Sequence, residues 1–343
     1  MAIRNPLRKT WFALILQPLL PPHPALSCKE REKEVYFIGE GEKVKFWSFF
    51  HLPSPTGEGC RRRGEGTDSK LLKPDFHMKS QARQNSRSSL PALQTEKLSL
   101  YYGKKAAFRE IAMPIEAGKI TAIVGPSGCG KSSFLSCLNR LTDLIPGTKI
   151  SGSIRLDGLE IANEKIDAIA LRRRVGTIFQ KPNPFPFSIW KNLAFPLQEH
   201  GIKNRDRLDR LIETALQDVG LWNEVKDRLN TSALSLSGGQ KQRLCIARAL
   251  VLQPEVLLFD EPCSALDPIS SGVVEDLIAS LRGRYTVVIV THNLAQARRI
   301  GDYAALFWVQ EEVGRLIEYG TIEQIFTAPQ DALTAAYVNG IRG

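Results

Sequence analysis

From residue 93 onward the sequence predicts an α/β fold, a mainly parallel sheet covered by helices. Three observations predict it. Short apolar runs alternate with amphipathic stretches, four of those runs stop abruptly at polar residues, and a glycine-rich loop joins the first of them to a helical pattern. The four runs are residues 120–124, ending at Gly125; 175–179, ending at Gln180; 256–259, ending at Asp260-Glu261; and 287–290, ending at Thr291-His292. In open α/β sheets the ligand sits beyond the carboxyl ends of the strands, so these four ends are expected to converge on one site. The apolar runs themselves are core.

The chain before residue 93 reads differently. Overall, 43% hydrophobic and 24% charged residues describe an ordinary globular protein, and 343 residues suffice for a large core. The net charge of +10 is unevenly spread: residues 1–92 hold 16 Lys/Arg against 9 Asp/Glu, the remainder 30 against 27. The predicted domain is thus close to neutral, and no nucleic-acid partner is expected. Residues 1–28 have the basic start and apolar run of an export signal, but Pro18, Pro21, Pro22 and Pro24 break that run. Residues 52–70 are rich in Pro, Gly and Arg and carry no sustained period. Residues 1–92 are therefore expected to be a disordered extension, with Met78 as an alternative start. No stretch reaches the roughly 18 apolar residues that span a bilayer. The six cysteines form no C-x-x-C pair and no zinc spacing, which predicts free thiols in a reducing compartment.

The first strand end opens Gly125-Pro126-Ser127-Gly128-Cys129-Gly130-Lys131-Ser132, which fits G-x-x-x-x-G-K-[ST] between a strand and a helix. Glycines let successive backbone N–H groups turn inward around phosphates, and the next helix presents its positive end. Lys131 would neutralise the β- and γ-phosphates of a nucleotide, and the Ser132 hydroxyl would ligate Mg²⁺. The same residues do not make a dinucleotide fingerprint, because the third glycine position is Ser133. At the third strand end, Asp260 is placed to hold Mg²⁺ and Glu261 to activate a water as general base. Gln180 is an amide able to touch both the metal and the water, and His292 is able to bond the γ-phosphate. The run Arg172-Arg173-Arg174 reads as a solvated charged face.

At Leu236-Ser237-Gly238-Gly239-Gln240 the sequence resembles the signature motif of the ATP-binding-cassette (ABC) family, with residues 240–250 reading as the helix that follows. The resemblance extends over about residues 93–343, one full cassette. It implies a P-loop NTPase fold with a RecA-like core, an antiparallel β subdomain and a helical subdomain near residues 183–245. It also implies a head-to-tail homodimer holding two ATP molecules, in which Ser237, Gly238 and Gly239 touch the ATP of the partner subunit. Asp267, within Ser264-Ala265-Leu266-Asp267, matches the loop that crosses that interface, and His292 the switch histidine. Phosphate-loop residues through Ser133 match the nucleotide cradle. Tyr102 matches the aromatic that stacks on adenine, with Tyr101 the alternative because alternation sends these neighbours to opposite faces.

Phe179-Gln180-Lys181-Pro182-Asn183-Pro184-Phe185-Pro186 is similar to the loop of the phosphate-import ATPases within that family, as are residues 170–176, 243–249 and 264–270. Ser133, Lys241 and Phe259 depart from the usual pattern without removing a catalytic group. This narrower resemblance implies an ATPase driving inorganic phosphate import from the cytoplasmic face of the membrane. Its partners would be two permease subunits and, indirectly, an extracytoplasmic phosphate-binding protein. The alternative is the ATPase of another importer, for an amino acid or a phosphonate. A chromosome-structure or DNA-repair relative would need a long heptad insertion between residues 180 and 237, and that interval is too short. A translation-associated relative would usually carry two cassettes, where this chain has one.

Overall fold

The computed structural model describes residues 91–162 and 166–341. The expectations for the N-terminal segment, the extension and the start at Met78, fall outside the described residues.

Ten strands form one sheet, in the order β5-β4-β1-β2-β10-β9-β3-β8-β7-β6. The first two, β1 (Leu93–Tyr102) and β2 (Lys105–Ile115), form a hairpin closed by Gly103-Lys104, with Gly103 left-handed at φ 60°. Outside β1 lies β4 (Thr148–Leu156), antiparallel to it, followed by the short β5 (Leu159–Glu160). The other half is parallel: β3 (Ile120–Val124), β8 (Thr286–Val290), β7 (Val256–Asp260) and β6 (Val175–Ile178) lie side by side. β9 (Tyr303–Gln310) runs parallel to β3, and β10 (Val313–Thr321) turns back along it to meet β2. Every residue of β3 and β8 is buried, as expected for central strands covered on both faces.

The helix α1 (Lys131–Leu138) follows the phosphate loop and wedges the two halves together. Its Phe134 is fully buried, with its ring edge-on to Phe108 of β2 at 5.9 Å and to Phe307 of β9 at 5.3 Å. Each such aromatic pair adds about 0.5–1.5 kcal/mol beyond area burial. Phe134→Ala is expected to lower unfolding free energy by about 3–5 kcal/mol in urea denaturation. A loss below about 1 kcal/mol would show that α1 is seated by other contacts.

After β5 the chain forms α2 (Ala168–Arg174), capped by Asp167. The triple arginine at its end is not a bare solvated face. Arg172 donates to the carbonyls of Asn139 and Arg140 at the exit of α1, and Arg174 bridges Glu255 and Asp157. These ties close orphan carbonyls and anchor the start of β6 to that of β7.

Between β6 and β7 no strand occurs among the described residues. Instead come α3 (Ile189–Glu199), α4 (Arg205–Asp218), the single-turn α5 (Trp222–Val225) and α6 (Gly238–Leu250). The buried stripes of α3 (Ile189, Leu193, Leu197) and α4 (Leu208, Ile212, Leu216) follow the helical period. α6 packs against α3, α4 and β6, and also against α7 (Pro268–Ser280), so it belongs to both layers. It begins two residues earlier than the sequence suggested, at Gly238. Ser237 and Gln240 form a reciprocal capping box that extends the first turn over both glycines. The chain closes with α8 (Leu294–Ile300), α9 (Ile322–Thr327) and α10 (Ala332–Val338).

Candidate nucleotide site

The ends of β6, β7, β8 and β3 are neighbours, and backbone bonds continue across them: Glu261 N–H donates to Val290 O at 2.9 Å, and Thr291 N–H to Ile123 O at 3.1 Å. The phosphate loop leaves β3 at Gly125, whose φ of 140° brings the chain against β9. A Cβ there would lie 2.0 Å from the Phe307 carbonyl oxygen, so the position admits no side chain. Gly130, left-handed at φ 90°, is the N-cap of α1. Pro126 is half-buried, while Ser127 and Gly128 are exposed at the loop's outer edge.

Lys131 is nearly buried, and its ammonium donates to the carbonyls of Gly125 and Pro126, both at 2.7 Å, with Cys129 Sγ 3.6 Å away. The charge is thus held inside its own loop by neutral dipoles, which phosphate oxygens would replace. Burial pushes the Cys129 thiol up, partly offset by Lys131, so the thiol stays protonated. The described cysteines, Cys129, Cys137, Cys245 and Cys263, are all free.

Ser132, the second residue of α1, donates its hydroxyl proton to Asp260 Oδ1 at 2.8 Å. Asp260 is the last residue of β7, and its carboxyl is pushed up chiefly by loss of water and further by Glu261, against the pull of Ser132 and Lys131. A cation at this oxygen pair would relieve that cost. Glu261 follows in a left-handed conformation, φ 44°, unusual for a residue with a long side chain. Its Oε2 accepts from Gln180 Nε2 at 3.1 Å and lies 3.4 Å from His292 Nδ1. Residues from the ends of β6, β7 and β8 therefore meet on one carboxylate oxygen. β6 itself stops at Ile178, one residue short of the predicted end, because its ladder with β7 runs out at the Ile178–Phe259 pair.

The signature residues lie elsewhere. Ser237 and Gly238 are exposed, whereas Gly239 is buried, and a Cβ on it would lie 2.7 Å from Ser270 Oγ in the first turn of α7. Asp267 caps that helix by accepting from Ser270 N–H at 3.0 Å; the Ser270 hydroxyl first, and this backbone bond next, hold its carboxyl below the usual range. Ser264 and Ala265 are exposed beside it, and Ile269 is 83% exposed. Among the described residues no hydrogen bond or ion pair joins Ser237, Gly238, Gly239 or Asp267 to the phosphate loop.

Of the two tyrosines, Tyr102 faces the phosphate-loop side: its hydroxyl donates to Ser133 Oγ at 3.2 Å. Tyr101 faces away, with the Arg109 guanidinium 5.7 Å from its ring. Tyr102 is only 4% exposed, so a base can stack on it only after it is uncovered.

Sequence reasoning passed over Asn192 and Arg248, which hold the loop that follows Gln180. The signal available was Asn192, a polar residue in the buried stripe of α3, fully buried between Ile189 and Leu193; Arg248 is half-buried on α6 and carried no such signal.

The fold and the strand-end site together define an ATP-binding cassette, the nucleotide-hydrolysing domain of ABC transporters. A family model described as ABC transporter matches residues 108–264. Phosphate import ATP-binding protein PstB 1 of Nitrosococcus oceani is 60% identical over 251 residues, covering 73% of this chain and 91% of that protein. The chain belongs to that family, the ATP-binding subunits of ABC phosphate importers. Among solved structures, cbiO1 from Clostridium perfringens, part of the ABC transporter complex cbiONQ, aligns with a TM-score of 0.60 at 28% identity. That alignment covers 69% of this chain and 91% of cbiO1. A bacterial Atm1-family ABC exporter with ATP bound gives the same TM-score at 25% identity, over 75% of this chain and 43% of the exporter chain.

Proposed function

We propose that this chain is the subunit that hydrolyses ATP to power uptake of inorganic phosphate through a membrane permease. The observation that carries the ATPase reading is the meeting of Gln180, Glu261 and His292 on one carboxylate oxygen beside the Ser132–Asp260 pair. The phosphate reading is supported by the 60% identity to the Nitrosococcus oceani protein.

In this reading the loop N–H groups from Gly125 to Ser133 and the start of α1 cradle the ATP phosphates. Lys131 releases its own carbonyls to bind the β- and γ-phosphates. Ser132, Asp260 and the Gln180 amide oxygen form an all-oxygen donor set suited to Mg²⁺, which when bound neutralises charge spread over the phosphates. Glu261 takes a proton from the attacking water as its oxygen bonds to the γ-phosphorus. The bond from that phosphorus to the bridging oxygen breaks, and ADP leaves with the electron pair. Gln180 orients the water from one side, and His292 steadies the γ-phosphate from the other. Tyr102, once uncovered, stacks on the adenine.

Ser237, Gly238 and Gly239 present an exposed helix N-terminus that serves the partner's ATP in a head-to-tail homodimer, with Asp267 at the crossing loop. ATP binding closes the dimer, hydrolysis opens it, and two permease subunits follow. The permease supplies the membrane spans and this subunit sits on their cytoplasmic face; no helix among the described residues is itself long and apolar enough to cross a membrane. An extracytoplasmic phosphate-binding protein delivers the solute. Reconstitution with the permease and binding protein in liposomes tests the reading. Phosphate is expected to accumulate only with ATP on this subunit's side, and to raise ATP turnover. Stronger stimulation by a phosphonate or an amino acid would replace phosphate as the solute.

A further inference from the structure

The loop after Gln180 has an unusual support. Pro182, Pro184 and Pro186 carry no N–H, so residues 182–187 have few main-chain donors, and one short backbone bond, Phe187 N–H to Phe185 O at 2.7 Å, joins them internally. Two side chains supply most of the remaining ties. Asn192, fully buried in α3, accepts from Phe185 N–H at 2.7 Å. Its amide nitrogen donates to the carbonyls of Phe185, Phe187 and Ser188 at 3.1, 3.4 and 3.0 Å. Arg248, in the last turn of α6, donates to Asn183 O at 3.0 Å and lays its guanidinium 4.1 Å from the centre of the Phe185 ring. It also reaches Asn192 Oδ1 at 3.5 Å, which joins the two supports. Among the described residues no carboxylate pairs with Arg248. Its position is held by the Asn183 carbonyl, the Asn192 amide oxygen, the Phe185 ring face and a long contact to Cys245 Sγ at 3.8 Å, and burial pushes its guanidinium down.

These contacts link two parts of the molecule. α6 is thirteen residues long, about 20 Å at 1.5 Å per residue. At its start stands Ser237; at its end stands Arg248, gripping a loop that begins three residues after Gln180. A straight helix moves as a rod, so a displacement at Ser237 reappears at Arg248. Phe185 and Phe187 pack edge-on or tilted against each other and against Phe195 of α3 at 5.9–6.1 Å, which ties the loop to α3.

We propose that Arg248 and Asn192 are positioning residues that transmit movement of the signature helix α6 to the loop at 183–188, and so tie the partner-facing end of the subunit to the segment attached to Gln180. The proposal rests on the reading of Ser237 as a contact for the partner's ATP. It predicts that the two side chains govern coupling and leave nucleotide affinity alone.

Two arms test it, using Arg248→Lys, which keeps the charge and loses the fork, and Asn192→Leu, which keeps the volume and loses the loop bonds. In the first arm, hydrogen exchange is followed at 183–188 and along α6 with and without ATP in the full-length chain. Wild type is expected to gain protection in both segments, and the variants in α6 alone. In the second arm, ATP turnover is measured with and without the permease. The KM for ATP is expected to stay within about twofold, while permease-stimulated kcat falls about tenfold or more and basal kcat changes little. Full stimulation of Arg248→Lys would overturn the fork. An equal fall of basal and stimulated rates with a lowered Tm would reduce both residues to structural support. If one variant fails to fold, the other carries the same exchange readout, and Asn192→Ser replaces Asn192→Leu. If wild-type α6 gains no protection from ATP, the trans reading of Ser237 fails. If α6 responds and the loop stays coupled in both variants, only the brace fails.

Discussion

Glu261→Gln is expected to bind ATP about as tightly as the wild-type chain and to turn it over roughly 10²–10⁴-fold more slowly, the range for a lost general base. The geometry explains why the effect falls on kcat. Glu261 is not part of the phosphate loop, and Ser132, Asp260 and Lys131 keep their contacts when it changes. Its Oε2 is where donors from Gln180 and the His292 ring converge, and an amide there is isosteric but cannot accept a proton. Equilibrium binding of a fluorescent ATP analogue and steady-state phosphate release measure the two halves separately. Unchanged turnover would remove Glu261 from the mechanism; lost binding would move it into the nucleotide cradle.

The second large effect is a rescue. Ser237→Arg and Lys131→Ala subunits are each expected to be inactive alone. The first places a cation on the exposed N-terminus of α6, where the helix end is already positive, and the second removes the charge from the phosphate loop. Mixed, they should recover about a quarter of wild-type specific activity. Half the dimers formed at random are mixed, and each has one site with an intact Lys131 and an intact Ser237. The measurement is ATP turnover against mixing ratio, with a maximum expected at equal amounts. Activity that never exceeds the sum of the separate preparations would put both motifs in one subunit's site.

Much of this was legible because it depends on neighbours in sequence. Glycines at 125 and 130 and the polar residues closing four apolar runs each act within a few residues. Local chemistry therefore announces them. The parallel pairing of β3, β8 and β7 follows from burying near-continuous apolar runs on both faces; their order in the sheet does not. Other features depended on distant partners. Whether Arg172 is solvated depends on where α1 ends, since its partners are carbonyls more than thirty residues away. Tyr102 carries the right spacing, but its burial is set by packing against α1. Asn192 looks like a blemish in the apolar stripe of α3, and Arg248 like an ordinary half-buried arginine of α6, until the proline-rich loop is laid between them.

The left-handed backbone at Glu261 has a consequence for how this position responds to selection. A side chain with a Cβ gives up about 1–2 kcal/mol in that conformation, which glycine would recover and asparagine would partly recover. Variants at 261 that resist heat or protease better than the parent would therefore be ones that have lost the carboxylate. A library sorted for folding alone would drift toward inert chains at this one position. A library sorted for phosphate uptake would keep glutamate and collect its compensating changes elsewhere, in the packing under α1 or along β8.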